Sequence, residues 1–407
     1  MRLQKRLWPM RKWWTPQPPL GGGTMKIVLV VMMSLVSLTG CYREPYLHLY
    51  DVDAPVVELP IVELRLDLYW DYELNLGINY NWRAEWYYGW DDEDRRIFGE
   101  LEYEEPTNFF LRRYYTGGNR FGKRIFKREA YVMGRTFRSS YDWGFWDILA
   151  WNDIKTIDGV QSLHFYEPEV LDEPVIAYTN QTMNSSRYYA PKYQNSFWEP
   201  EQLFSACENG IEISEDLEGF TYDPENNVWV RMLDMSLEPI TYIYLPQVIL
   251  RHNNGRITLV PGVANLSGMA RSTNLNTGVT GTDPIAVNFN MRLKNDVEWE
   301  NGERVDIVGG RMMTFGICGQ NANRVSRAED SFDKEHHYMD VMMQFYNGMD
   351  STFVFDVTDQ VRKRYKGGVI TVVLDMDTVP VPKRSGGSGF NAVVKDIEDG
   401  GTWEFEM

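Results

Sequence analysis

The chain has 407 residues, 43% hydrophobic and 14% aromatic, with 58 acidic against 41 basic residues and a formal charge of −17. So acidic a chain repels nucleic-acid phosphate and gains little from lying flat on anionic lipid, and its aromatic content excludes a disordered polymer. At about 100–200 residues per domain, its length points to two domains with sizeable cores.

Residues 1–24 show no usable period, and Met25, followed by Lys26, reads as the true start. Ile27–Leu38 (IVLVVMMSLVSL) is 12 residues long and uncharged. A membrane span needs roughly 20 residues, whereas a signal-peptide core needs about 7–15 followed by small residues at a cleavage site. Leu38-Thr39-Gly40-Cys41 then resembles the bacterial lipobox, in which the cysteine thiol is alkylated by lipid and becomes the new N-terminus. The first 40 residues hold six basic and no acidic residues, so the mature balance is −23. One acyl chain binds membranes only marginally, so a multiply acylated Cys41 is the expected hold. The membrane is then engaged through lipid alone.

From Val62 to Trp90 the apolar residues fall on even numbers (Leu64, Leu66, Leu68, Trp70, Trp82, Trp86, Tyr88) and mostly polar ones on odd numbers. Period two is the mark of half-buried strands. A single strand of that length would span roughly 95 Å at about 3.3 Å per residue, so a bend or bulge is expected near Gly77. The tryptophans share a face with the leucines and read as core. Tyr69 and Tyr87 lie on the other face and are the candidates for ligand contact. The acidic run Asp91–Asp94 reads as a turn after this strand. It fails as an EF-hand, because Arg95 and Arg96 fall where a ligand and a glycine are needed.

Residues 105–135, basic and aromatic, read as long loops, and Pro200–Cys207 as a short helix. Ile240–Leu250 (ITYIYLPQVIL), Asn253-Asn254-Gly255 and Arg256–Val260 read as a hairpin. Met339–Tyr346 and Met349–Val357 read as a second hairpin about Asn347-Gly348. Val357, Val361 and Tyr365 recur at helical spacing, with Asp356 as cap and Gly367-Gly368 as stop, before a strand over Val369–Met376. No repeat emerges.

Chemistry is sparse. His336-His337, beside Asp333, Glu335 and Asp340, would point to opposite faces of a strand and so cannot easily share an ion; solvated surface is the expected reading. Ser388 lacks the second glycine of a nucleophile elbow, and no lysine follows to make a phosphate loop. His48, His164 and His252 sit in no motif, and Cys207 and Cys318 read as free thiols. Neither a cofactor, a metal nor an enzymatic activity is expected.

Leu266–Ala270 (LSGMA), Asn274–Gly278 (NLNTG) and Thr314–Gly316 (TFG) follow the strands of 240–260. In that order they resemble the second domain of the fimbrillin-associated anchor lipoproteins of Bacteroidetes fimbriae. Leu66–Leu74 (LDLYWDYEL) and Tyr141–Trp151 (YDWGFWDILAW) resemble strands of their first domain. Over its mature length the chain is similar to an uncharacterised lipoprotein family of the same bacteria. The resemblance implies a mainly β fold: two transthyretin-like or Ig-like β-sandwich domains in series with few short helices. The expected organisation is 1–40 extension and signal peptide, 41–55 lipidated tether, 56–237 N-terminal sandwich and 238–407 C-terminal sandwich. The aromatic region 89–227 is longer than the resemblance implies. The role implied is a fimbrial anchor or minor subunit at the outer membrane, facing the cell surface, with fimbrial subunits joined by strand addition. A variant is activation by cleavage after Arg95 or Arg96. The alternative is a surface glycan-binding lipoprotein of a nutrient-uptake system, using Tyr69 and Tyr87.

Overall fold

The computed structural model describes residues 61–70, 81–154, 161–166, 174–179, 196–261, 263–319, 336–383, 391–394 and 404–406. Cys41, the signal segment, Gly77 and Ser388 lie outside these residues. The first eleven strands are β1 Val62–Trp70, β2 Asn108–Gly117, β3 Phe126–Met133, β4 Thr136–Ser140, β5 Gly144–Asn152, β6 Leu163–Tyr166, β7 Ile176–Thr179, β8 Ser196–Trp198, β9 Phe204–Ile213, β10 Thr221–Asp223 and β11 Val228–Pro239. The others are β12 Tyr242–Arg251, β13 Ile257–Leu259, β14 Ala264–Ala270, β15 Ser272–Asn274, β16 Pro284–Phe289, β17 Met291–Glu298, β18 Arg304–Gly310, β19 Met312–Thr314, β20 Tyr338–Phe345, β21 Asp350–Asp356, β22 Gly368–Asp375, β23 Asn391–Val394 and β24 Glu404–Glu406. Three short α-helices accompany them: α1 Trp82–Glu85, α2 Asp92–Phe98 and α3 Thr358–Lys363. The chain is mainly β, as the sequence implies. No helix among the described residues is long and apolar enough to cross a membrane.

One sheet runs β3-β2-β5-β9-β11-β1-β4, with β10 on β11. β1 enters it parallel to β11 and antiparallel to β4. Its even residues Val62, Leu64, Leu66 and Leu68 are buried, as period two requires.

A second sheet centres on β12, which β22 joins in parallel on one edge. β18 and β19 follow one another along its other edge. Pro246, which has no N–H for a ladder, falls in the gap between those two partners. Sheet sides alternate along β12. Ile243, Leu245 and Ile249 join a core with β1, β5 and the tryptophans of residues 82–90. Tyr244, Val248 and Leu250 join a second core, closed by the third sheet, β24-β23-β21-β20-β14-β16-β8. These facing sheets make a sandwich, its interior filled by side chains such as Phe289, Phe345 and Phe353, each worth about 1.5–3 kcal/mol when buried. The first core therefore draws on both sides of the expected division at 237/238, and β11 ends there at Pro239.

The three motifs behind the fimbrial resemblance meet in space. Ser267-Gly268 forms a bulge in the fully buried β14. Gly268 has φ +79°, and a Cβ there would lie 2.8 Å from His337 Nδ1, so only glycine fits. Asn274–Gly278 closes a turn, the Gly278 N–H donating to Asn274 O at 2.7 Å. Gly316 O accepts from Ala270 N at 2.8 Å.

Several sequence readings are corrected. Residues 108–117 and 126–133 are strands, not loops. The basic residues hid their alternation, because Arg112 and Arg113 are themselves buried, each beside an aromatic ring. Residues 204–213 are strand β9 rather than helix. Asn253-Asn254-Gly255 does turn the chain, but β13 leaves β12 and pairs with β20 in the facing sheet. Buried Asn253 fixes that exit, its Oδ1 accepting from Ile257 N and its Nδ2 donating to Asp306 Oδ2. His337 is buried, not solvated. The β20–β21 hairpin stands as read. In α3, Val361 is buried, and the N-cap position is Val357 rather than Asp356, which from one residue further out accepts from Thr358 N at 3.1 Å.

Candidate functional site

Tyr87 and the Arg95-Arg96 pair both lie on residues 81–105, which cross the outer face of the β12 sheet. Trp82, Trp86 and Tyr88 sit in the first core without forming a strand, carried by one helical turn and an extended piece, while Ala84 is exposed. Gly309 lies against the Tyr88 ring with no room for a Cβ. Gln247, on the outward side of β12, clamps this segment. Its Oε1 accepts from Tyr87 N (3.1 Å) and Tyr88 N (3.2 Å). Its Nε2 donates to Glu85 O (2.7 Å) and Thr371 Oγ1 (2.9 Å). Arg364 adds an ion pair to Glu85 at 2.5 Å.

The acidic run forms α2 rather than a turn. Asp91 Oδ1 accepts from Asp94 N and Asp94 Oδ2 from Asp91 N, both at 2.9 Å, a capping box. Gly99 ends the helix at φ +83°. Asp-x-x-Asp before Ile97-Phe98-Gly99 was the sequence signal for it.

Asp94 is fully buried. Beyond the cap bond it accepts from Tyr88 hydroxyl (2.8 Å), Arg292 Nη1 (2.6 Å) and Lys294 Nζ (2.5 Å). Arg292 and Lys294 also reach Asp91, at 3.0 and 3.1 Å. Two carboxylates thus meet two cations, and every lone-pair direction of Asp94 is taken. Burial and the hydrogen bond to Asp94 push the Tyr88 hydroxyl pKa far up. Desolvation works against the Asp91 carboxylate, but hydrogen bonds from Asp94 N, Arg292 and Lys294 outweigh it and hold the group well below the usual carboxylate range. With every lone pair of Asp94 engaged by α2 or by the Tyr88, Arg292 and Lys294 donors, this cluster is a latch between α2 and β17.

Tyr87 is half-buried. Its hydroxyl donates to Glu300 Oε1 (3.3 Å) and its ring meets Trp299 edge-on with centroids 6.5 Å apart. Tyr69 pairs with Ser236 in the β1–β11 register; its side chain lies outside the described residues. Tyr69 thus stands in a strand of the first sheet, whereas Tyr87 lies on the non-strand segment packed on the β12 sheet. Arg95 and Arg96 are exposed on α2 and paired within it to Asp92 and Glu93, a helical setting that a protease needing extended backbone must first unwind.

Cys207 and Cys318 are both free. Burial pushes the Cys207 thiol up to about 11, away from reactivity. His252 Nδ1 lies 2.9 Å from Asp375 Oδ1 and 3.7 Å from Asp377 Oδ2, and ligand atoms of all three residues come within 4.8 Å of one another.

No family model matches the chain, and no curated protein matches its sequence. Among solved structures, the chain is similar to a candidate adhesin of Bacteroides ovatus at 14% identity, covering 78% of this chain and 93% of that one, with a TM-score of 0.43. It is similar to a candidate adhesin of Bacteroides thetaiotaomicron at 10% identity, covering 79% and 94%, TM-score 0.41. It is also similar to the fimbrial anchor protein Mfa2 of Porphyromonas gingivalis at 11% identity, covering 77% and 90%, TM-score 0.40. Fimbrial and adhesin proteins are thus among the solved structures similar to this chain.

Proposed function

We propose that this chain is a lipid-anchored structural protein of the cell envelope, a fimbrial anchor or minor fimbrial subunit, and not an enzyme. The observation that carries the reading is the coincidence of Leu38-Thr39-Gly40-Cys41, behind an apolar run too short to span a bilayer, with a body made of sheets. Lipid on Cys41 would supply a permanent hold on the outer membrane, through the tether 41–55. The body would divide near Ser236–Pro239 into sandwich domains 56–237 and 238–407, facing the cell surface. Fimbrial subunits would join by strand addition, since sheet edges carry unpaired backbone groups that accept another strand.

The β22 edge fits that logic as an edge partly covered by the chain itself. Gln360 Nε2 donates to Thr371 O and Gln360 Oε1 accepts from Thr371 N, both at 2.9 Å. Arg364 donates to Val369 O. Gln360 of α3 and Arg364 just after it thus occupy outer backbone groups of β22 at Val369 and Thr371, which would disfavour strand addition there.

Cell fractionation of Cys41→Ala tests the anchoring. The reading requires the variant to move from the membrane to the soluble fraction. Variant protein that stays with membranes contradicts lipid anchoring at this residue.

A further inference from the structure

On the outer face of β3-β2-β5 three aromatic residues stand in one register row. Phe110 of β2 pairs with Tyr131 of β3 and with Trp151 of β5. Trp151 is buried, stacked on Phe110 with centroids 5.7 Å apart and an interplanar angle of 21°. Tyr131 meets Phe110 at 5.2 Å and 64°. Phe110 is thus flanked by Trp151 on one side and by Tyr131, set at an angle, on the other, and two of the rings face outward: Phe110 is 37% and Tyr131 50% exposed. Cross-strand aromatic pairs stabilise sheets, but that role does not require half of a large ring to be left in water.

The next row along the same strands is polar. Arg112 of β2 pairs with Glu129 of β3, their side chains 2.8 Å apart. Arg112 lies over the Trp151 ring at 5.3 Å. On the far side, the Tyr131 hydroxyl donates to Asp153 Oδ2 at 2.6 Å. The rings and the Arg112–Glu129 row together line a shallow cleft of about 300 Å³. The rings span roughly 10 Å, two strand spacings.

We infer that this cleft binds a neutral pyranose sugar. One face of a pyranose presents C–H bonds, which are drawn to the negative face of an aromatic ring. Its rim presents hydroxyls, which bond most strongly to charged groups. Phe110 and Tyr131 supply the apolar floor. Glu129 and Asp153, on opposite sides, supply acceptors fixed by Arg112 and Tyr131. Among the described residues that line the cleft the one cation, Arg112, is buried and paired with Glu129; Lys127, beside the cleft, is neutralised by the same carboxylate at 3.2 Å, and the chain as a whole is acidic. Both features select against uronic and sialic acids. The inference is independent of the anchoring reading, because a lipid-held structural protein can also carry a sugar site.

The test is saturation-transfer NMR on the full mature protein in a zwitterionic detergent without a sugar head group. The probes are methyl β-glucopyranoside, methyl β-galactopyranoside and chitobiose at millimolar concentration, with glucuronic acid and sialyllactose as anionic counterparts. At least one neutral sugar is expected to receive saturation, strongest on the C–H protons of one ring face, while the anionic sugars receive none. Phe110→Ala and Tyr131→Ala should each weaken binding about tenfold, the effect of losing roughly one ring contact. Tyr131→Phe, which keeps the ring, should retain most of it, and Tyr87→Ala all of it. Both positions are partly exposed, so circular dichroism should show folded variants. Silence from every neutral sugar overturns the inference. So does binding unchanged in Phe110→Ala, or self-association of the protein that the same substitution abolishes, which would make the face a contact between copies.

Discussion

Asp94→Asn is the most informative single perturbation. Asparagine keeps the shape and can still accept from Tyr88, but its amide places a donor where Lys294 Nζ and Asp91 N already donate. Arg292 keeps a neutral acceptor and Lys294 keeps Tyr88 O, but Asp91 is then the one carboxylate of the latch left to both. Removing one partner of a buried ion pair costs about 3–5 kcal/mol. The Arg292 and Lys294 side chains are 30% and 13% exposed, so water offsets part of the loss, and about 3 kcal/mol is expected. The assay is equilibrium urea unfolding of the soluble Cys41→Ala form, followed by the fluorescence of Trp82 and Trp86, which lie in the same core. Adding Lys294→Met should return about 1 kcal/mol or more, because the pair is coupled. A loss below about 1 kcal/mol for Asp94→Asn, in the range of an exposed pair, would refute the latch. The latch also sets an acid limit. The folded-state pKa of Asp91 is depressed, so its contribution is complete above the unfolded value of about 4 and is lost as pH falls below it.

Other consequences are equally concrete. Gln247→Ala leaves Tyr88 N and Glu85 O without these partners and should cost about 2–3 kcal/mol; hydrogen exchange should quicken first at the Tyr87 and Tyr88 amides. Gly268→Ala places a Cβ against His337 at positive φ and should cost about 2 kcal/mol or more, read as a lowered Tm. Burial raises Glu199 to about 7, against the bond from Met313 N at 2.7 Å. A carboxyl raised in the folded state binds more protons folded than unfolded, so stability falls as pH rises from the unfolded value of about 4.3 to about 7. Glu199→Gln should flatten that part of a Tm-against-pH curve.

Burial was more legible in the sequence than the elements that deliver it. Trp82, Trp86 and Tyr88 are buried as period two predicts, while Ala84 between them is exposed because this piece is a helical turn and an extended segment rather than a strand. Arginine concealed β2, since a guanidinium can be buried when it has a ring beside it and a carboxylate in reach. The Asn347-Gly348 hairpin was readable because its signal is local. The parallel pairs β1–β11 and β12–β22 have no local signal, their partners being more than a hundred residues apart. The Asp94 latch joins residues 198 positions from one another, and the aromatic row spans three strands, so neither could be assembled before the topology was known. The LSGMA glycine was legible as a motif, but its cause, the approach of His337, was not.

The most direct test of the central proposal is cross-linking of intact cells, purification through a C-terminal tag and identification of the captured proteins by mass spectrometry. The account predicts fimbrial subunits, lost together with membrane attachment in Cys41→Ala. Recovery of a nutrient-uptake transporter with no fimbrial subunit would contradict it.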